Sequence, residues 1–202
     1  MEQSCDGMKF NRGKLLNCGF DLAKDNYDLM IFHDVDLLPS LELKEWYVKL
    51  PGTKESGHIA KVWDRYTQNP KYYGGIVTFS TGTFQNLNGY PNTFWGWGGE
   101  DDELYKRVIK CGIKIVHPKE GSIIDLEDMN LKEKLTILKK SNWKCMVKWE
   151  LLNEHEKLWR VNGLSDLKYT IVERKEMGDK CSRITIDLGR NGHWSDEKAQ
   201  QN

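Results

Sequence analysis

Three short segments hold residues whose types and spacing suit chemistry. Asp34-Val35-Asp36 closes a short apolar run, Leu29 to Phe32. Carboxylates at i and i+2 share one face of an extended segment. Such a pair can hold a divalent cation, and the cation can bridge a diphosphate. Taken alone, two acids at a strand end are more often solvated turn residues. The second segment is Phe94-Trp95-Gly96-Trp97-Gly98-Gly99-Glu100-Asp101-Asp102. Its glycines permit close backbone approaches, its tryptophans offer flat apolar faces for a sugar ring, and a carboxylate can act as base toward a hydroxyl. A Trp-rich core corner before an acidic helix start is the plainer reading. Three adjacent acids nevertheless exceed what the positive end of a helix dipole asks for. The third segment is Phe10-Asn11-Arg12. Its arginine could hold a phosphate or lock a loop by a bidentate bond, or stand solvated at a helix start.

The elements that must position these residues follow from hydrophobic periodicity. Leu15, Leu16, Phe20 and Ala23 fall at helical spacing and predict a helix over 10–24. Residues 28–34 and 74–80 predict strands, the first a continuous apolar run of the buried, central kind. Catalytic groups in open α/β sheets sit at the carboxyl ends of such strands, where Asp34 and Asp36 stand. Residues 40–57 are mixed, and 83–87 suit one or two helical turns. Residues 88–99 are loop, rich in Gly, Pro, Asn and Trp. Residues 100–111 predict a helix with Leu104, Val108 and Ile109 on one face and Gly112 as its cap. A short strand over 113–116 and helices over 129–140 and 147–159 come next, then a hairpin from 167–174 and 183–188. Residues 189–202 are polar and predict a frayed end.

Composition narrows the class. The chain has 202 residues, enough to bury a core without disulfides. Lys plus Arg and Asp plus Glu number 30 each, so net charge is zero and nucleic acid is disfavoured as a partner. No apolar run reaches the length of a membrane-spanning helix, and residues 1–9 lack the apolar stretch of a signal peptide. Five cysteines, Cys5, Cys18, Cys111, Cys145 and Cys181, show no paired spacing and predict reduced, mostly buried thiols.

Taken together, the segments resemble the β-1,4-galactosyltransferase family, glycosyltransferase family 7, in its C-terminal catalytic half. The resemblance lies in FNRGKLLNCGF (10–20), HDVDLLP (33–39), YYGG (72–75), NGYPNTFWGWGGEDDELYKRV (88–108) and NGLSDLKY (162–169). It spans residues 9–189 as a partial catalytic domain, with 190–202 as a polar tail, and is clearest to about residue 120.

The resemblance implies a GT-A fold, an α/β Rossmann-like mixed sheet flanked by helices. It implies inverting transfer of galactose, or N-acetylgalactosamine, from a UDP-sugar to the 4-hydroxyl of an acceptor sugar, with Mn2+ or Mg2+. Arg12 would touch UDP, with Phe10 packed by the uridine. Asp34 and Val35 would line the nucleotide-sugar site, and Asp36 would ligate the metal. Tyr72 would set donor choice. Trp97 would lie over both sugars. Gly98, Gly99, Glu100, Asp101 and Asp102 would form the acceptor site, with Asp101 the base and Glu100 beside it.

Three departures qualify these expectations. Only nine residues precede Phe10, where the family has further strands and a nucleotide-gripping segment, so the resemblance implies an incomplete donor half-site. The family's later Met-x-x-His metal pair falls near Asp125 and Asp128, which would be oxygen ligands instead. The family is typically Golgi-lumenal, yet its disulfide cysteines are not matched. The alternatives are therefore a sugar-binding or relic domain without transfer and, more remotely, a metal-dependent hydrolase.

Overall fold

The computed structural model describes residues 1–5, 7–127 and 129–189. The chain opens with a two-residue strand, β1 (Glu2–Gln3), and the helix α1 (Arg12–Ala23). The side chain of Asn11 caps α1 by accepting from the Lys14 N–H at 2.9 Å. Then come β2 (Leu29–His33), β3 (Leu37–Pro39) and a 3-10 turn over Leu41–Tyr47. β4 (Glu55–His58) leads through short 3-10 turns to β5 (Ile76–Ser80) and α2 (Thr81–Asn86). After the Trp/Gly loop come α3 (Glu100–Lys110), β6 (Lys114–Val116) and β7 (Ile123–Asp125). The chain continues through α4 (Leu131–Lys140), α5 (Lys148–Asn153), α6 (His155–Leu158), β8 (Thr170–Glu176) and β9 (Ser182–Asp187).

The central sheet is mixed and four-stranded, in the order β2-β5-β4-β6, with β4 and β6 parallel and the other pairs antiparallel. Residues Phe20, Phe32, Phe79, Phe84 and Tyr90 pile against one another beneath α1, with ring centroids 4.5 to 6.2 Å apart. Burial of each such ring contributes about 1.5–3 kcal/mol. On the far side of α1, Leu15 and Cys18 pack with Trp95, Ile184 and Ile186. The β8–β9 hairpin is thereby tied to the Trp/Gly loop, and β1 extends it by parallel pairing with β9.

The strands β1, β3 and β4 lie where the periodicity reading had none, and two further features depart from it. The stretch 147–159 forms two short helices, because Glu154 closes α5 and starts α6. A small antiparallel ladder joins β3 to β7, pairing Leu37 with Asp125, where no strand was expected over 123–125. Three-residue strands are too short to show a period. The cysteines are all free, but only Cys18 and Cys145 are buried, while Cys5 and Cys181 are exposed. Among the described residues, no helix is long and apolar enough to cross a membrane. The tail over 190–202 lies outside the described residues.

Candidate active site

Arg12 is the first residue of α1, where a cation opposes the helix dipole. It is held there by acids from two other elements. Its Nε and Nη2 lie 2.8 and 2.7 Å from Asp34 Oδ1, just past the end of β2. Its Nη1 lies 2.9 Å from Asp101 Oδ1 and 3.6 Å from Glu100 Oε1, both in the first turn of α3. The Tyr90 ring supports the guanidinium from 5.8 Å.

One cation thus faces three carboxylates in a largely buried place. Desolvation raises the proton affinity of Asp101 above the ordinary carboxylate range; Arg12 opposes the rise, and Glu100 and Asp34 add to it. Glu100 is raised for the same first cause, again against Arg12. Desolvation works against the charge on Arg12, yet Asp101 and Asp34 overcome it and hold the guanidinium firmly protonated.

Two glycines make room for this arrangement. Gly99, the residue before α3, has φ +110°, and a Cβ there would stand 2.3 Å from the Phe94 ring. At Gly74 a Cβ would stand 2.3 Å from Asp101 Oδ2. Asp101 is therefore held by Arg12 at Oδ1, while its Oδ2 lies close enough to Gly74 to leave no room for a Cβ there. Asp34 is tied to the same backbone, since its N–H donates to the Gly75 carbonyl at 3.0 Å.

The remaining expected residues surround this node. Phe10 is 55% exposed, and its carbonyl accepts from the Gly96 N–H at 2.8 Å, which docks the Trp/Gly loop on the start of α1. Val35 is 96% exposed. Tyr72 stacks on Tyr66 with centroids 4.1 Å apart, and burial pushes its phenol far up. Trp97 is 37% exposed, and its N–H donates to the Trp143 carbonyl at 2.7 Å. Gly98 follows with φ +100°. Asp102 pairs with Lys148 at 2.6 Å.

A second acidic group is brought together by the β3–β7 ladder. The Leu126 N–H donates to the Asp36 carbonyl at 2.8 Å, so the chain after β7 runs beside the Asp34-Val35-Asp36 turn. Oxygens of Asp36, Asp125 and Glu127 lie within 4.8 Å of one another. Asp36 and Asp125 were expected from the sequence, and Asp128 lies outside the described residues. Glu127 was missed. The signal was present in the i, i+2 spacing of Asp125 and Glu127, which puts both on one side of an extended run. Three carboxylate oxygens are a donor set that fits a hard divalent cation. Arg65 also reaches the group, 2.7 Å from Asp125 Oδ2 and hydrogen-bonded to Glu127. His117 instead contacts the Pro118 carbonyl through Nδ1 at 2.9 Å.

A profile described as the N-terminal region of glycosyl transferase group 7 matches residues 1–48. Another, described as the N-terminal domain of galactosyltransferase, matches residues 54–132. The chain belongs to the β-1,4-galactosyltransferase family. Within that family it is 31% identical to β-1,4-galactosyltransferase 3 of Cricetulus griseus, over 94% of this chain and 46% of that protein. It is 33% identical to β-1,4-galactosyltransferase 4 of Homo sapiens, over 91% of this chain and 52% of that protein. The chain thus spans about half the length of the curated β-1,4-galactosyltransferases it matches. The catalytic domain of Drosophila β-1,4-galactosyltransferase 7 in complex with xylobiose superposes with a TM-score of 0.75 and 27% identity, covering 93% of this chain and 79% of that one. A mutant of the same enzyme, in complex with manganese, UDP-Gal and xylobiose, gives a TM-score of 0.72 and 29% identity, with the same coverage. The fold is therefore the GT-A fold of this family, as the sequence resemblance implied.

Proposed function

We propose that this chain is a metal-dependent, inverting galactosyltransferase that moves galactose from UDP-galactose to the 4-hydroxyl of a saccharide acceptor. The observation that carries this reading is the node at which Arg12 joins Asp34, at the end of β2, to Asp101, at the start of α3. It places a carboxylate of raised proton affinity beside the segment that resembles a nucleotide-sugar site. The manganese, UDP-Gal and xylobiose held by the Drosophila enzyme support the same substrate classes here.

In a single-displacement inversion the acceptor hydroxyl attacks the anomeric carbon opposite the departing diphosphate. Its proton passes to a base on the acceptor side. Asp101 takes that role. Arg12 fixes Oδ1, and Oδ2, packed at Gly74, is the oxygen left to receive the proton. Glu100 raises the proton affinity of Asp101 and so makes it a better base near neutral pH. Phe10 and Val35 present apolar faces for the nucleotide, Tyr72 borders the donor sugar, and Trp97 with Gly98, Gly99 and Asp102 receives the acceptor. Asp36, Asp125 and Glu127 would hold Mn2+ or Mg2+. Such an ion, when bound, neutralises the charge of the leaving diphosphate. No covalent nucleophile is needed.

A second reading, saccharide binding without transfer, is favoured by one observation: Arg65 is ion-paired to two of the three metal-facing carboxylates. Calorimetric titration of UDP into the chain, with and without Mn2+, separates the two. Metal-dependent UDP binding, followed by UDP release from UDP-galactose when xylose or N-acetylglucosamine is supplied, is expected. Glycan binding by a folded chain that ignores UDP and Mn2+ would overturn transfer in favour of the second reading.

A further inference from the structure

We propose that Arg65 is a resident counter-cation of the Asp36–Asp125–Glu127 cluster, and that a divalent ion enters by displacing its guanidinium. This rests on the metal-dependent reading above. Arg65 lies on the 3-10 turn Asp64–Tyr66, which the sequence reading left without a role. Four groups hold its side chain. Nη2 is 2.7 Å from Asp125 Oδ2 and 2.6 Å from the Met129 carbonyl, Nη1 is bonded to Glu127 Oε2, and the Trp63 ring lies 5.4 Å from Cζ. The guanidinium is therefore fixed rather than adrift on the surface.

The argument for displacement has two parts. The first is steric and directional. A hard divalent ion needs carboxylate oxygens at about 2.0–2.6 Å. Arg65 is ion-paired to Asp125 Oδ2 and hydrogen-bonded to Glu127 Oε2, oxygens of two of the three acids that could close on one ion. An ion that draws on those two oxygens can close on all three acids only once they are turned from the arginine.

The second part is charge balance. Asp36, Asp125 and Glu127 bring three negative charges when ionised, and Arg65 and Lys134, whose Nζ is 3.0 Å from Glu127, bring two positive ones. With both cations in place a divalent ion would leave the group with an excess positive charge. With Arg65 gone, Lys134 and the ion neutralise the three acids. The Trp63 ring, already 5.4 Å from Arg65 Cζ, can keep its cation–π hold on the guanidinium as the carboxylates let go. Arg65 thus allows three acids to converge in the absence of metal, and it lowers the affinity of the site for metal.

The test is titration of the chain with Mn2+ alone, read by the electron paramagnetic resonance signal of free Mn2+ and by the midpoint of thermal unfolding. Arg65→Gln is expected to bind Mn2+ at least tenfold more tightly than the parent chain and to gain a larger rise in midpoint from it. Arg65→Lys, which keeps a charge but loses the fork, is expected to fall between them. Mn2+ binding by Arg65→Gln that equals or is weaker than that of the parent chain overturns the inference while leaving the metal site standing. Failure of both folded chains to bind Mn2+ defeats the metal reading and the inference with it. Asp36→Asn, as control, is expected to weaken Mn2+ binding in either background.

Discussion

Arg12 and Asp101 are 89 positions apart in the chain, yet Arg12 Nη1 lies 2.9 Å from Asp101 Oδ1. The same guanidinium holds Asp34 through a second edge. A fork-shaped cation can do this where a point charge cannot. Through Arg12, the turn that resembles the donor site and the helix start that resembles the acceptor site become one rigid unit. Arg12→Lys is expected to leave the chain folded, because the charge remains. It should lower kcat by about tenfold or more through loss of alignment, with a smaller change in KM. Steady-state kinetics beside a thermal melt checks both halves of this statement.

Asp101→Asn removes the proposed proton acceptor and keeps the shape. Loss of a general base costs about 10²- to 10⁴-fold in rate. UDP binding in the presence of Mn2+ should survive, since the proposal puts Asp101 on the acceptor side. Transfer at the parent rate in this variant would assign the base elsewhere.

The raised proton affinity of Asp101 has a sign that can be read twice. Transfer needs the ionised form, so kcat should climb with pH through a value above the ordinary carboxylate range near about 4. The stability contribution runs the other way. The folded chain keeps a proton that the unfolded chain has already released, so this group's contribution is full below the unfolded value and is lost as pH rises through the folded one. A pH–rate profile whose acid limb sits at the ordinary carboxylate value would contradict this placement.

Gly74→Ala isolates position from chemistry. The added Cβ would meet Asp101 Oδ2 at 2.3 Å and Asp101 Cγ at 2.9 Å, and the carboxylate is the softer party. The chain should fold with a loss of about 1–3 kcal/mol, typical of overpacking. Its kcat should fall more than its affinity for UDP. Equal kcat in a folded variant would show that the base does not depend on this contact.

Away from the site, Arg107 is fully buried and lies 3.2 Å from Glu103, which also accepts from His155 at 2.7 Å. Its remaining N–H groups donate to the carbonyls of Asn88, Gly89 and Asn162. This network ties α3 to the loop that carries the Trp/Gly segment. Arg107→Met should cost about 3–5 kcal/mol by leaving Glu103 uncompensated. Adding Glu103→Gln should return part of the loss, and denaturant unfolding of the three chains measures it.

Much of this site could be read along the chain. Glu100, Asp101 and Asp102 stand at the start of α3 because apolar residues recur behind them at helical spacing, and Gly98 and Gly99 mark where the chain must turn. The Asp34 end of β2 was legible because a short apolar run can end in charge only where it leaves the core. Glu127 was legible only as the i+2 neighbour of Asp125, because β7 has three residues, too few to reveal a period that would place it. The split between α5 and α6 was hidden for a related reason. Both helices share one apolar pattern, and only packing of Leu151 and Leu152 against Phe94 and Cys145 decides where the first ends.

Sequence by itself determined the family, the local elements and the chemical types brought to the site, because each of these depends on neighbours within a few residues or on a contiguous motif. Tertiary structure alone decided which charges meet. Arg12 finds Asp34 and Asp101 across 22 and 89 positions, and Arg65 finds Glu127 across 62. Ion pairs carry no periodicity, and their partners are set by where packed strands and helices leave a charge with no water to face.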